Sequence, residues 1–166
     1  MKRALLAALV VLAAFVAYTF LPGGEERAVR DKIRRLAAHL SAPAGEEPLV
    51  RGARFAALRS SFTPDVRVEL PAEGLSFHTF EELAAFAGRA VPPGGIVLET
   101  GDIEVEVRGD HEAADARFPA RVLERRGDGE PVLVDARTVS VTLVRHDQAW
   151  RISSARIMPS DHASVR

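Results

Sequence analysis

The sequence predicts an α+β domain in which three helices cover one face of a curved antiparallel sheet. Three observations lead there. Apolar residues recur at helical spacing as far as about Pro93 and at strand spacing afterwards. The stretch from Pro131 to Pro159 reads as two long strand-like runs. Val139, Val141 and Leu143 share one parity, His146-Asp147-Gln148 makes a polar break, and Trp150-Arg151-Ile152 restarts the pattern. Helices first and a meander afterwards is the order of an α+β fold, because an apolar sheet face needs a cover.

The chain opens with Lys2 and Arg3, followed by an unbroken apolar run of 18 residues from Ala4 to Leu21. As a helix this run spans roughly 27 Å, near the hydrocarbon thickness of a bilayer. It lacks the polar stripe of a soluble helix. A cleaved signal peptide wants small residues at −1 and −3, yet a cut after Ala17 puts Phe15 at −3 and a cut after Ala14 puts Leu12 there. The expectation is therefore an uncleaved membrane anchor over residues 1–21 and a hinge at 22–24 (Pro22-Gly23-Gly24). A soluble domain over 25–159 and a polar tail over 160–166 complete the chain. Arg27, Arg30, Lys32, Arg34 and Arg35 follow the anchor, and a plain count of basic residues would hold the domain in the cytoplasm. The Met-Lys-Arg start before an apolar run has the form of a secretory leader, and on that form the single-pass chain is expected to hold its domain outside the cytoplasm.

Past the hinge, Val29, Ile33, Leu36 and Leu40 fall at i, i+4, i+7 and i+11, one face of an amphipathic helix over Glu25–Ser41. Glu25 and Glu26 suit the positive end of its dipole. A second helix is expected over Val50–Phe62, stopped by Thr63-Pro64-Asp65. Val66–Leu70 alternates as a short strand, and Pro71–Gly74 is a turn. Thr79-Phe80-Glu81-Glu82 forms a capping box that starts a third helix, with Leu83, Phe86 and Ala87 inward, fading over Gly88–Pro93. Four long antiparallel strands follow: Ile96–Arg108, Ala114–Arg125 and the two arms of Pro131–Pro159. Arg126-Gly127-Asp128-Gly129 marks the turn between the second and third. Arg108-Gly109-Asp110 and Arg126-Gly127-Asp128 carry an adhesion-like tripeptide, but Gly-Asp is ordinary turn chemistry and both read as turns only.

Composition narrows the function classes. The chain is 47% hydrophobic and 27% charged, as in an ordinary folded domain. There is no cysteine, which removes disulfides, thiolate metal sites and thiol nucleophiles. Setting aside Lys2 and Arg3 leaves 20 of the 22 basic residues against 23 acidic ones, so no basic field for nucleic acid exists.

The pattern resembles the nuclear transport factor 2-like superfamily, which includes SnoaL-like polyketide cyclases and ketosteroid isomerases. The resemblance rests on Phe62-Thr-Pro-Asp-Val66, on Thr79-Phe-Glu-Glu-Leu83, and on Val141-Thr-Leu-Val-Arg145 followed by Trp150-Arg-Ile152. It spans Glu25 to Met158. It implies a cone: a strongly curved sheet wrapped on the helices, often with a pocket at the open end. It also implies a homodimer through the sheet face. The superfamily holds enzymes, binding modules and assembly domains, so the fold alone leaves the activity open.

Enzymes of this kind place His or acidic residues in the pocket, and the isomerases add a tyrosine. The one tyrosine here, Tyr18, lies in the apolar run. His39, His78, His111, His146 and His162 form no HxH or HxxxH pair, so no metal site is expected. No GxSxG, P-loop, GxGxxG or EF-hand loop occurs, and no cofactor is expected. The catalytic candidates are His78, Asp135 and Arg137. Asp135 and Arg137 continue the parity of Val139 and Val141, so they face the same side unless a bulge intervenes. His78 and Asp135 would act as base and orienter, and Arg137 would bind an anionic group. Asp115 and Arg117 are candidates to lie beside them. The blander alternative, an ion pair at the rim, weighs more. The expected function is a membrane-tethered, non-catalytic binding or assembly module; the alternative is a SnoaL-like enzyme or a binder of a small apolar or anionic ligand.

Overall fold

The computed structural model describes residues 23–109, 111–125 and 129–160. The expected anchor, Ala4–Leu21, and the end of the tail lie outside the described residues. Among the described residues no helix is long and apolar enough to cross a membrane.

Helix α1 (Gly24–Leu40) buries Val29 and Ile33 and lays Leu36 and Leu40 half-buried beside them, the face that the spacing predicts. Its C-terminal Ser41 is a junction: Ser41 Oγ donates to the Ala37 carbonyl and accepts from Leu98 N. Helix α2 (Pro48–Arg59) starts on a proline, whose missing N–H costs nothing in the first turn. It ends before Phe62, where the sequence had placed its last apolar residue. Phe62 instead opens strand β1 (Phe62–Leu70), and Thr63-Pro64-Asp65 are strand. Proline survives there because β1 pairs Phe62 with Ile152 and next Arg67 with Ser154, leaving Pro64 in the unpaired interval.

A 3₁₀ turn (Pro71–Glu73) leads to β2 (Leu75–Phe77), a short antiparallel partner of β1. Helix α3 (Phe80–Ala90) is capped as expected: Thr79 Oγ1 accepts from Glu82 N at 3.2 Å. The return arm lands one residue early, with Glu82 Oε2 accepting from His78 N at 2.8 Å. Phe80 packs on Phe62, and Phe86 on Phe77, each with ring centroids 5.1 Å apart.

The expected long strand Ile96–Arg108 is two strands, β3 (Ile96–Thr100) and β4 (Glu104–Val107), both on the same edge of β5 (Ala113–Glu124). The break has a cause on β5. Pro119 accepts from Gly101 N at 2.9 Å, so its missing N–H faces the same edge, where it has no proton to return. A side chain at position 101 would also meet the Pro119 ring, 2.6 Å from a Cβ built there. The meander continues through β6 (Val132–His146) and β7 (Ala149–Pro159), joined by Asp147-Gln148 with φ of 50° and 62°. Positive φ at both turn residues matches the right-handed twist of a two-residue hairpin.

The strand order is β2-β1-β7-β6-β5-β3. The sheet is mixed rather than antiparallel, because β1 runs parallel to β7. Alternation reveals that a segment is a strand but carries no information on its partner's direction. The core lies between the helices and the inner sheet face, with Val66, Ala114, Phe118, Val141, Leu143, Trp150 and Ile152 at its centre.

A polar clamp closes the α1–α2 loop. Arg54 grips Glu46 with Nε and Nη2, each at 2.8 Å, and donates Nη1 to the His39 carbonyl at 3.0 Å. The Arg54 hydrogen bond holds the Glu46 carboxyl below its ordinary value of 4.5. A depressed carboxylate contributes stability that is complete above its unfolded pKa and disappears as pH falls through the folded one. Urea unfolding of wild type and Glu46→Gln is expected to show a gap that is constant above about pH 5 and shrinks on acidification below 4.5. A gap independent of pH would mean that the clamp acts without the charge.

Candidate functional site

The inner sheet face narrows to its candidate site at the leading end of β6. From Asp135 to Leu143 the β5–β6 register is unbroken, so Asp135, Arg137, Val139, Val141 and Leu143 share the helix-facing side. A bulge does occur, between the pairs Val122↔Asp135 and Leu123↔Leu133, but it inserts Val134 upstream of both candidates. Asp135 and Arg137 therefore lie on the predicted face.

They are paired with each other. Arg137 Nε donates to Asp135 Oδ2 at 2.8 Å, and Ala136 N donates to Asp135 Oδ1 at 2.8 Å. A third group, Glu73 of the 3₁₀ turn, sets Oε1 at 2.6 Å from Arg137 Nη1. The Arg137 side chain is 22% exposed between its two carboxylates. The Asp135 hydrogen bond, offset in part by burial and helped by Glu73, raises the guanidinium above its ordinary value. This is an ion pair at the rim, as the blander reading expected, but it runs along one strand rather than across two. Glu73 had no signal in the sequence: it sits in an ordinary Pro-Ala-Glu-Gly turn 64 residues upstream of Arg137.

His78 does not join them. It is exposed, its Nε2 lies 3.5 Å from Ser76 Oγ, and its backbone N–H belongs to the α3 cap. No hydrogen bond or ion pair among the described residues links it to Asp135 or Arg137. Asp115 and Arg117 correct the sequence reading more sharply. They pair with Thr142 and Ser140, so they occupy the outer face, opposite Asp135 and Arg137. The inner-facing positions of β5 beside the two candidates are Ala120 and Val122.

That outer face carries its own polar assembly, a groove of about 610 Å³ across five strands. Register aligns two rows of side chains on it. One reads Glu104, Arg117, Ser140, Arg156, Glu69, and the next reads Glu106, Asp115, Thr142, Ser154, Arg67. Asp115 accepts from Thr142 Oγ1 at 2.8 Å and from Arg108 Nη2 at 2.9 Å. Burial works to raise its pKa, but these two hydrogen bonds and the Arg108 charge together hold it below the ordinary carboxylate range.

The cone, its three helices and its closing hairpin are matched over residues 25–156 by the model of the SnoaL-like domain. The chain belongs to the SnoaL-like domain family. Solved structures agree on the fold. Aln2 from a Streptomyces species superposes with a TM-score of 0.68 at 20% identity, covering 85% of this chain and 95% of its own. An NTF2-like protein with a cystatin-like fold from Novosphingobium aromaticivorans gives 0.61 at 21% identity, covering 81% and 84%. A protein of the same organism, provisionally described as a scytalone dehydratase, gives 0.63 at 16%, covering 86% and 89%. At these identities the likeness establishes the SnoaL-like fold and no activity. No curated protein sequence matches the chain.

Proposed function

We propose that this SnoaL-like domain is a non-catalytic binding and assembly module, tethered by an anchor at Ala4–Leu21 and held outside the cytoplasm. The observation that carries this reading is the closure of the inner rim. Arg137 is engaged by Asp135 and Glu73, and His78 stands apart. The inner face beyond them, Val139, Val141, Leu143, Ala155 and Ile157, is apolar and offers no acid or base. A general base is favoured by a raised carboxyl pKa, and the Arg137 guanidinium against Asp135 favours the charged carboxylate instead.

The outer face is the proposed assembly surface, and a second copy of this chain is its occupant. Placed face to face about a two-fold axis between the two rows, Arg117 of one copy meets Asp115 of the other, and Glu69 meets Arg67. Only Glu104 and Glu106, at the rim, meet a like charge. Such self-complementarity is what an isologous interface requires. The full chain in neutral detergent is expected to sediment as a dimer, and Arg117→Glu with Arg67→Glu as a monomer. Wild-type monomers at high protein concentration would overturn the assembly reading. A C-terminal alkaline phosphatase fusion is expected to be active; an inactive fusion would reverse the orientation.

The second reading, an enzyme or small-ligand binder at the open end of the cone, draws support from one relative's provisional description as a dehydratase. It predicts turnover or binding of a small apolar or anionic ligand that Asp135→Asn and Arg137→Met abolish.

A further inference from the structure

We propose that the cleft between α1 and α2 is a binding site for a small oxyanion of the phosphate or sulfate class. The cleft has a volume of about 290 Å³. Lys32, Arg35 and His39 line it from successive turns of α1, with Ser61 at the end of α2 and the aliphatic Leu36 and Leu58 between. No carboxylate lines it.

The donors are arranged for one acceptor-rich guest. Lys32 Nζ donates to Ser61 Oγ at 2.9 Å, which fixes the half-buried ammonium at the mouth of the cleft and leaves two of its three protons. Ser61, 9% exposed, accepts that bond and keeps its own hydroxyl proton to give. Arg35 commits Nε to the Asp31 carbonyl at 3.2 Å, leaving its terminal amino groups. His39 Nδ1 donates to the Arg35 carbonyl at 2.7 Å, which leaves Nε2 of the neutral ring an acceptor, so the donors to the guest are Lys32, Arg35 and Ser61. A tetrahedral oxyanion takes donors of this number and kind.

Electrostatics point the same way. Burial first, and then the charges of Arg35 and Arg151, lower the Lys32 pKa. Arg151 does not line the cleft; the bond from Ile152 N to the Ser61 carbonyl at 2.9 Å brings its strand up to Ser61. Its Nε is buried and finds no hydrogen-bond partner among the described residues. Asp31 lies 3.8 Å from Arg34, and Asp147, 2.8 Å from His146, offsets part of the Arg151 charge from 3.6 Å, so Lys32 and Arg35 carry the charge of the cleft. Two guanidinium groups, Arg35 and Arg151, repel the partly desolvated Lys32 ammonium, and a bound anion reverses the sign of that interaction.

Two sources share this chemistry, free phosphate and the phosphate of a lipid headgroup, and the experiment separates them. Thermal unfolding of the full chain in neutral detergent is followed against sodium phosphate, with sodium chloride at equal ionic strength as the control. Phosphate at saturating concentration is expected to raise Tm by about 3 °C or more over chloride. Lys32→Met is expected to melt no lower than wild type without phosphate, since it removes the repulsion, and to lose the phosphate response. Arg35→Met is expected to weaken the response, and Lys32→Arg to retain it. A larger shift with glycerol 3-phosphate than with inorganic phosphate assigns the headgroup as the source, and the reverse order assigns the free ion. Equal shifts in phosphate and chloride, or an undiminished response in Lys32→Met, would overturn the site.

Discussion

Replacing Leu143 with alanine is expected to remove about 2–5 kcal/mol of stability, the largest loss of any single truncation proposed for this domain. Leu143 is 0% exposed and sits where the strands change register. It pairs with Ala114 on one side and Ile152 on the other, with Trp150 and Val141 packed in the same cluster. Its neighbours on β5, Ala114 and Ala116, are already small and cannot lean in to fill a cavity. The backbone cannot relax either. The shift between Thr142 and Leu143 leaves Ser153 unpaired on β7, and Ser153 Oγ donates to the Thr142 carbonyl at 3.1 Å, fastening the bulge. Urea unfolding should show a lower midpoint with an unchanged m-value. A cost below about 1 kcal/mol would mean that the hairpin repacks freely, against this account of a fixed wall.

Much of this architecture was legible because local rules and the fold agree. The α1 stripe, the Thr79 cap and the parity of Val139, Val141 and Leu143 each express a short-range period or hydrogen bond, and each stands where the sequence put it. The features that were missed depend on partners far away in the chain. Pro64 reads as a helix stop, and it does not interrupt β1 only because β7 skips the residues around it. The split between β3 and β4 is caused by Pro119, on a different strand. Parallel pairing of β1 with β7 leaves no trace in alternation. The candidate site divides the same way. Asp135 and Arg137 share a strand, so their common face could be read directly. Asp115 and Arg117 had to be placed across a register that alternation does not set, and they fell on the other face. Glu73 reaches Arg137 from a turn that no periodicity connects to β6.

The same long-range logic makes Glu25 a stronger residue than its place in a first helical turn suggests. A carboxylate there is ordinarily worth a few tenths of a kcal/mol against the helix dipole. In this fold Glu25 also bridges to the far end of the closing hairpin. Its Oε1 accepts from Arg145 Nη1 at 3.0 Å and its Oε2 from Trp150 Nε1 at 3.1 Å, while the Arg145 guanidinium lies 5.5 Å from the Trp150 ring centroid. Trp150 is 6% exposed, so its indole N–H finds no water when the acceptor is removed. Both charged partners keep some solvent contact, 27% for Glu25 and 29% for Arg145, which discounts the Coulombic share. Glu25→Ala is therefore expected to cost about 1–3 kcal/mol, chiefly through the orphaned indole. Glu25→Gln, which keeps an acceptor for the indole and loses the charge for Arg145, should cost less than half as much. Trp150 is the only tryptophan, so its fluorescence reports both the unfolding transition and the local environment. A change in the emission maximum of folded Glu25→Ala, absent in Glu25→Gln, is the expected signature. Equal losses in the two variants would place the effect in the Arg145 ion pair instead.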